Sequence, residues 1–138
     1  MNEYRLPITS SVVVDLVGPE GPTPVEANLH YDPTDPYAVA VHFLVDGATV
    51  RWVFSRELLM SGVHEPVGEG DVRVSPSLDP DGRAALLLTL QSPAGRAVIK
   101  MRSRDVLDFL AHTSRAVWPG TESDHVDRDA AVSALVGD

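Results

Sequence analysis

Histidine, serine and glycine are the residues whose spacing could indicate a reactive site in this chain. Two metal-binding histidines on one helix usually stand four residues apart, and none of the five histidines has another at that distance. They are His30, His42, His64, His112 and His125. His112 follows Asp108 by four residues, which is the spacing of an ordinary pair on a helix surface. The histidines therefore predict no metal site.

Motifs for a nucleophile or a bound phosphate are also absent from the sequence. A serine hydrolase of the α/β type places its serine in G-x-S-x-G, which does not occur here. The glycines of "VGEGD", residues 67–71, could suggest a phosphate-binding loop, but no lysine follows, and Glu69 and Asp71 would repel an anion. We therefore expect a protein that is not an enzyme, with no catalytic residues, no bound cofactor and no metal.

The length and composition of the chain predict one cytosolic domain. A chain of 138 residues buries roughly 70% of the surface that it exposes when unfolded, so one core suffices without a covalent staple. The sequence has no cysteine, which excludes disulfides and cysteine-based metal sites. No run approaches the roughly 18 apolar residues of a membrane-spanning helix, and the first residues do not form a signal peptide. We expect a single cytoplasmic domain, residues 1–138, without a transmembrane segment.

The charge of the chain disfavours a nucleic acid as its partner. The formal net charge is −9, and Lys100 is the single lysine among 11 basic residues. Affinity for a phosphate backbone comes largely from basic side chains that release counterions. Arginine, tryptophan and methionine are instead typical of protein interfaces, which draws attention to Trp118 and Met60. Met60 is expected at the surface, whereas Trp52 follows a strand pattern and is expected in the core.

Runs of alternating apolar and polar residues predict seven strands. They cover residues 10–17, 25–31, 37–45, 49–55, 70–76, 84–91 and 96–102. The segment "GPEGPTP", residues 18–24, contains two glycines and three prolines, which predicts an irregular break after the first strand. The sixth strand is nearly continuous in leucine, so we expect it to lie centrally in the sheet with both faces buried.

Two short segments predict reversals of the chain. Asp32-Pro33 and Asp35-Pro36 stand between the second and third strands. Proline fixes its own φ and moves the preceding residue away from helical conformations, so these residues predict a tight loop. Asp46-Gly47 has the composition of a two-residue hairpin turn. Both segments therefore join antiparallel strands.

Three segments have helical patterns. The first runs from Ser55, which can cap its first turn, to Gly62, which is expected to end it in the left-handed conformation. The second begins at Ser103 and ends before Pro119. The third is predicted to begin near Asp127. Its expected packing face comprises Ala131, Val132, Leu135 and Val136. The whole order predicts an α+β fold with an antiparallel sheet of about seven strands, one short inserted helix and two C-terminal helices.

Four segments of the sequence resemble the SsgA-like family of sporulation and cell-division proteins of actinobacteria. They are "LHYDPTDPYAVAVHF", "WVFSRELLMSGVHEPVGEGDVRV", "SPAGRAVIKM" and "FLAHTSRAVWPGTE". They follow one another along nearly the whole chain, and their order agrees with the predicted order of strands and helices. The chain is thereby identified as a single SsgA-like domain.

The resemblance implies a function and an assembly that the residues by themselves do not show. It implies a non-catalytic protein at the division septum that recruits the tubulin-like GTPase FtsZ and promotes its polymerisation. It also implies a whirly-like fold, a homotrimer and a possible second SsgA-like protein as a partner. No short family motif marks the contact with FtsZ, so the partner-binding residues stay unassigned. Two alternatives remain open: a single-stranded nucleic-acid-binding protein on a whirly-like fold, and an enzyme without a recognised motif.

Overall fold

Eight antiparallel strands and three helices make up the computed structural model of this chain. The structure describes residues 6–136, and it describes their side chains except those of 127–130 and 133. In chain order the elements are β1 (Ile8–Gly18), β2 (Gly21–Tyr31), β3 (Ala38–Val45), β4 (Ala48–Ser55), α1 (Arg56–Gly62), β5 (Val67–Glu69), β6 (Val72–Leu78), β7 (Ala84–Ser92), β8 (Gly95–Arg102), α2 (Ser103–Ala116) and α3 (Glu122–Val136). The predicted α+β class, the inserted helix and the two C-terminal helices are confirmed. Among residues 6–136, no helix is both long enough and apolar enough to cross a membrane.

The strands form one sheet in the order β4-β3-β2-β1-β8-β7-β6-β5. β1 pairs with β2 along its whole length, but with β8 only through Asp15 with Lys100 and Leu16 with Ile99. The sheet therefore consists of two four-stranded halves with a short junction between them. At this junction the sheet curls so that both halves contribute to one core.

The structure has eight strands where the sequence predicts about seven. Residues 67–69, for which the sequence predicts no strand, form β5 and pair with Val72–Val74 of β6. Gly70 has a φ of +56°, a conformation that favours glycine, and it allows the chain to reverse after only three strand residues. A run of three residues is too short to show a period in the sequence.

β2 begins earlier than predicted because its two prolines are tolerated in the strand. Pro22 and Pro24 lie opposite Val17 and Asp15 of β1. On the other side of β2, pairing with β3 begins only at Glu26. The prolines therefore occupy a stretch where β2 has a single neighbour, and their missing N–H groups remove no hydrogen bond on the open side.

The two predicted chain reversals are confirmed. In the loop between β2 and β3, the Asp35 N–H donates to the Asp32 carbonyl oxygen at 2.9 Å. The hydroxyl of Tyr31 closes the loop by donating to the Pro36 carbonyl oxygen, also at 2.9 Å. In the turn between β3 and β4, Asp46 and Gly47 have φ values of 50° and 77°, as a two-residue type I′ turn requires.

One face of the sheet packs against α1 and α2 to form the core. β7 contributes Leu86, Leu88 and Leu90 to this core, while Leu87 on its opposite face is half-buried. The prediction of a central, fully covered β7 is therefore wrong, because the N-terminal half of the sheet adds to β8 and leaves β7 third from the β5 edge. α2 covers the core with Val106, Phe109 and Leu110.

α3 differs from its prediction in both its start and its packing. It begins at Glu122, five residues before the predicted Asp127. The side chains expected to form its packing face are exposed, with Leu135 at 87% of its surface. These exposed side chains are Ala131, Val132, Leu135 and Val136. Apolar residues at helical spacing identified the helix correctly, but the spacing alone does not supply a surface for them to cover.

Gly62 ends α1 for a reason other than the predicted left-handed cap. The helix ends at Val63 with an ordinary φ of −64°, and Gly62 is not one of the glycines with positive φ. A Cβ atom on Gly62 would lie 2.5 Å from the Cβ atom of Val74 on β6. Val74 is fully buried and cannot move aside. Glycine is needed because the end of α1 lies directly against β6.

We expect Gly62→Ala to lower the free energy of unfolding by about 1–3 kcal/mol, because the added methyl group overpacks this contact. Gly62→Val adds more atoms and is expected to be worse. Denaturant unfolding measures both changes, and the Val74→Gly background, which lacks the Cβ atom of residue 74, provides the control. If the contact with Val74 is the cause, Gly62→Ala costs less in that background. Equal costs in the two backgrounds would contradict this account.

Candidate functional site

The structure places the histidines at separate positions, except for one pair. His30 on β2 and His42 on β3 stack with their ring centroids 4.3 Å apart. Burial, and then the proximity of His42 and Arg51, lowers the pKa of His30, which favours the neutral form of its ring. Nδ1 of His112 lies 2.7 Å from the Asp108 carbonyl oxygen on the surface of α2. Within the described residues, no three histidine or carboxylate side chains are placed to hold a metal ion.

A cleft of about 630 Å³ lies where β1 and β8 meet, on the face of the sheet opposite the core. Four carboxylates and two basic side chains line it: Asp15, Asp79, Asp81, Asp105, Lys100 and Arg102. The acidic groups outnumber the basic ones in this cleft. A nucleic-acid groove needs the opposite balance, together with aromatic side chains for the bases.

Arg56 is the centre of a buried polar cluster at the end of β4. Its side chain is only 1% exposed. Nη1 donates to the carbonyl oxygens of Val117 at 2.7 Å and Thr113 at 3.3 Å, and Nη2 donates to Oε2 of Glu122 at 2.9 Å. The guanidinium carbon lies 5.0 Å from the centroid of the Tyr31 ring, within the range of a cation–π contact. One side chain thus connects α1, β2, the end of α2 and the start of α3.

The Trp118 turn, residues 117–122, connects α2 to α3 and is fixed by several hydrogen bonds. Arg56 holds its first carbonyl group, and the Thr121 hydroxyl donates to the Trp118 carbonyl oxygen at 2.6 Å. The Gly120 N–H donates to Oε1 of Glu122 at 2.7 Å. The indole of Trp118 is 70% exposed. The turn therefore presents a large aromatic side chain to solvent on an ordered backbone, and such residues often dominate protein interfaces.

The structure confirms only some of the positions predicted for the candidate interface residues. Trp118 is exposed, whereas Met60 is half-buried against the core, so its predicted position at the surface is wrong. Trp52 packs against the core, although only in part. Sequence reasoning missed Arg56 and Glu122 entirely. The sequence did contain one indication of this cluster. A positive charge is unfavourable in the first turn of a helix, where the helix dipole is also positive, so an arginine at this position suggests that a specific partner compensates for it.

Glu122 is ionised in the folded protein because of its hydrogen bonds. Burial alone would raise the pKa of this carboxyl, since desolvation disfavours its charged form. The side chain of Arg56 and the backbone N–H groups of Glu122 and Gly120 donate to it and outweigh that effect. Its pKa consequently lies below the ordinary value of 4.5.

This lowered pKa predicts a pH-dependent contribution to stability. A carboxyl whose pKa is lower in the folded state stabilises the fold above its ordinary pKa, and this contribution disappears as the pH falls through the folded value. Glu122→Gln is therefore expected to be less stable than wild type near neutral pH, with a difference that shrinks below about pH 4.5. Urea unfolding over a pH series measures the difference, and Glu57→Gln in the first turn of α1 is the control. A difference that is constant with pH would contradict the assignment.

The fold and the site define the class of protein. It is an α+β protein with one curled antiparallel sheet, and its most distinctive site is an ordered turn at the surface. Residues 25–122 match the family model described as Streptomyces sporulation and cell division protein, SsgA. The chain belongs to the SsgA family. The matched region ends at Glu122 and includes both partners of the buried ion pair.

Individual relatives support the same assignment. The chain is 43% identical over 131 residues to the sporulation-specific cell division protein SsgB of Frankia casuarinae, covering 94% of this chain and 91% of the relative. It is also 43% identical over 124 residues to SsgB of Streptomyces coelicolor, covering 89% of this chain and 90% of that protein. The crystal structure of an SsgA-like sporulation-specific cell division protein from Thermobifida fusca superposes with a TM-score of 0.88 at 37% identity, covering 98% of this chain and 99% of that one.

Proposed function

We propose that this protein acts in sporulation-specific cell division by binding FtsZ at septum sites and promoting its polymerisation, without catalysing a reaction. A division role is supported by the names of its relatives, which are sporulation-specific cell division proteins. The observation that carries a contact function is the Trp118 turn, where an exposed indole stands on a backbone that a buried arginine holds through the Val117 carbonyl oxygen. Because its backbone is already ordered, this turn loses little conformational entropy on binding.

We further propose that the protein is cytoplasmic and works as a homotrimer. The apolar side chains of Val132, Leu135 and Val136 are exposed on α3 of the single chain, and a second subunit would cover them. Three weak FtsZ sites on one particle would raise the effective concentration of each site and could bridge filaments. Another SsgA-like protein could occupy the same surfaces. Static light scattering tests the assembly, because a mass near the 14.9 kDa of one chain contradicts it.

The single-stranded nucleic-acid alternative receives less support from the site. The cleft between β1 and β8 has more carboxylates than basic groups, and the chain carries a net charge of −9. Counterion release would therefore contribute little to binding. Submicromolar, salt-sensitive binding of an oligonucleotide would favour this alternative over the proposed function.

The decisive experiment is sedimentation of FtsZ with GTP, using FtsZ from the same organism. We expect the wild-type protein to sediment with FtsZ and to increase the pellet. Trp118→Ala is expected to weaken this binding by about 30-fold, as the loss of an interface hot spot does. Tyr37→Ala is the matched control, because Tyr37 is also an exposed aromatic residue but lies outside the turn.

Each outcome of this experiment has a distinct meaning. If the wild-type protein neither sediments with FtsZ nor changes the pellet, direct binding is wrong. If both variants sediment with FtsZ as the wild-type protein does, direct binding is retained but the Trp118 turn is not the contact. If both variants lose activity equally, the assignment to this turn is also wrong.

A further inference from the structure

An apolar groove of about 190 Å³ lies on the core face of the sheet, at the end where its hairpin turns lie. Phe43, Leu90 and Ile99 form its buried floor. Val50 and Trp52 of β4 lie along its mouth, where Val50 is 44% exposed and Trp52 is half-buried. All the side chains that line the groove are apolar. It is therefore an opening in the hydrophobic core rather than a polar pocket.

The helices lie at the other end of the sheet. α1 begins directly after the last residue of β4, and α2 begins directly after the last residue of β8. Both strands start at hairpin turns, so the helices pack where these strands end and leave the hairpin end of the core open. The Trp118 turn lies with the helices, because Arg56 and Tyr31 connect it to the far ends of β4 and β2. The groove is consequently a separate surface.

The turns beside the groove carry mainly negative charge. Asp46 directly follows Val45, which lines the groove. The carbonyl oxygen of Asp71 accepts from the N–H of Gln91 at 2.9 Å, so Asp71 lies next to the groove residue Leu90. Glu20 occupies the turn between β1 and β2 at the same end of the sheet. Arg96, before Ala97 on β8, is a basic residue close to this end of the sheet. These acidic turns favour a positively charged neighbour.

We propose that this groove binds a partner segment in which a large apolar side chain is flanked by lysine or arginine. The apolar side chain enters the groove and covers Val50 and Trp52, while the basic side chains meet the carboxylates of Asp46 and Asp71. Helix-in-groove recognition of an amphipathic segment uses this combination of contacts. The inference goes beyond the proposed function, because it concerns another face and does not require FtsZ as the partner.

The exposed helix α3 of a second copy is a poorer occupant of the groove. Its first turn contains Glu122 and Asp124 and its last turn contains no basic residue. Placing this helix among Asp46, Asp71 and Glu20 would bring like charges together, which opposes binding. The charge of the turns therefore distinguishes a basic partner segment from the chain's own apolar helix.

The test uses a synthetic amphipathic peptide of leucine and lysine and the fluorescence of Trp52. The sequence contains two tryptophans, so a Trp118→Phe background leaves Trp52 as the single reporter. We expect saturable binding with a blue shift as Trp52 becomes covered. Val50→Asp is expected to weaken binding by about tenfold or more. Val53→Asp is the matched control, since Val53 lies on the opposite face of β4 with a similar exposure of 45%.

A second pair of variants tests the charges independently of Val50. The double substitution Asp46→Asn and Asp71→Asn is expected to weaken binding of the lysine peptide by about threefold and to make this binding less dependent on salt. Asparagine tolerates the positive φ of Asp46, so the turn is retained. A peptide with glutamate in place of lysine should bind more weakly than the lysine peptide to the wild-type protein.

Three results would overturn the proposal. One is equal weakening by Val50→Asp and Val53→Asp, and another is equal binding of the glutamate and lysine peptides. The third concerns assembly. If light scattering gives a lower mass for Val50→Asp than for the wild-type protein, a second copy of the chain covers the groove. Circular dichroism of each variant confirms that it is folded before binding is compared.

Discussion

Arg56→Ala is expected to lower the free energy of unfolding by about 3–5 kcal/mol, the effect of removing one partner from a buried ion pair. The substitution leaves the carbonyl oxygens of Val117 and Thr113 without their donor and Glu122 without its opposite charge. It also leaves a cavity where one of the largest fully buried side chains was. Urea unfolding followed by circular dichroism measures the loss. The chain belongs to the size range in which two-state analysis usually holds.

Arg104→Ala is the control for this substitution, because Arg104 is exposed on α2. We expect it to change the free energy of unfolding by less than about 0.5 kcal/mol. A similarly small effect of Arg56→Ala would show that the cluster does not hold the helices to the sheet. The variant also bears on function. If it stays folded under mild conditions, the Trp118 turn should lose order, and the proposed binding of FtsZ should weaken with it.

Leu88→Ala is the second substitution with a large expected effect, a loss of about 2–5 kcal/mol. Leu88 is 1% exposed, and its cross-strand partners are Val74 of β6 and Ile99 of β8, which are also buried. Because strands on both sides hold these neighbours in place, the site cannot collapse to fill the cavity that alanine leaves.

The control for Leu88 is Leu78→Ala on the adjacent strand β6. Leu78 is exposed, so its truncation removes little buried surface and should change stability by less than about 0.5 kcal/mol. Differential scanning calorimetry of both variants makes the comparison. A loss below about 1 kcal/mol for Leu88→Ala would mean that the packing around β7 is looser than the structure shows.

The sequence by itself determined the features that depend on neighbouring residues. The loop from Asp32 to Pro36 follows from the few backbone conformations that proline allows, and the Asp46-Gly47 turn follows from the positive φ that such a turn requires. Ser55 caps α1 as predicted, with its hydroxyl oxygen 3.0 Å from the Leu58 N–H. Except for β5, the strands and α2 follow from their hydrophobic patterns, with α2 at a period of 3.6 residues. The resemblance to the SsgA-like family depended on the same continuous segments.

Only the tertiary structure decided which distant residues meet. Arg56 and Glu122 are 66 residues apart in sequence, and no local pattern indicates that their side chains form an ion pair. Gly62 is required because β6 lies against it, not because of its own backbone angle. The groove at Trp52 exists because the curled sheet extends beyond the helices that cover it. Periodicity determines which face of an element is apolar, but the packing of all elements together determines whether that face is covered.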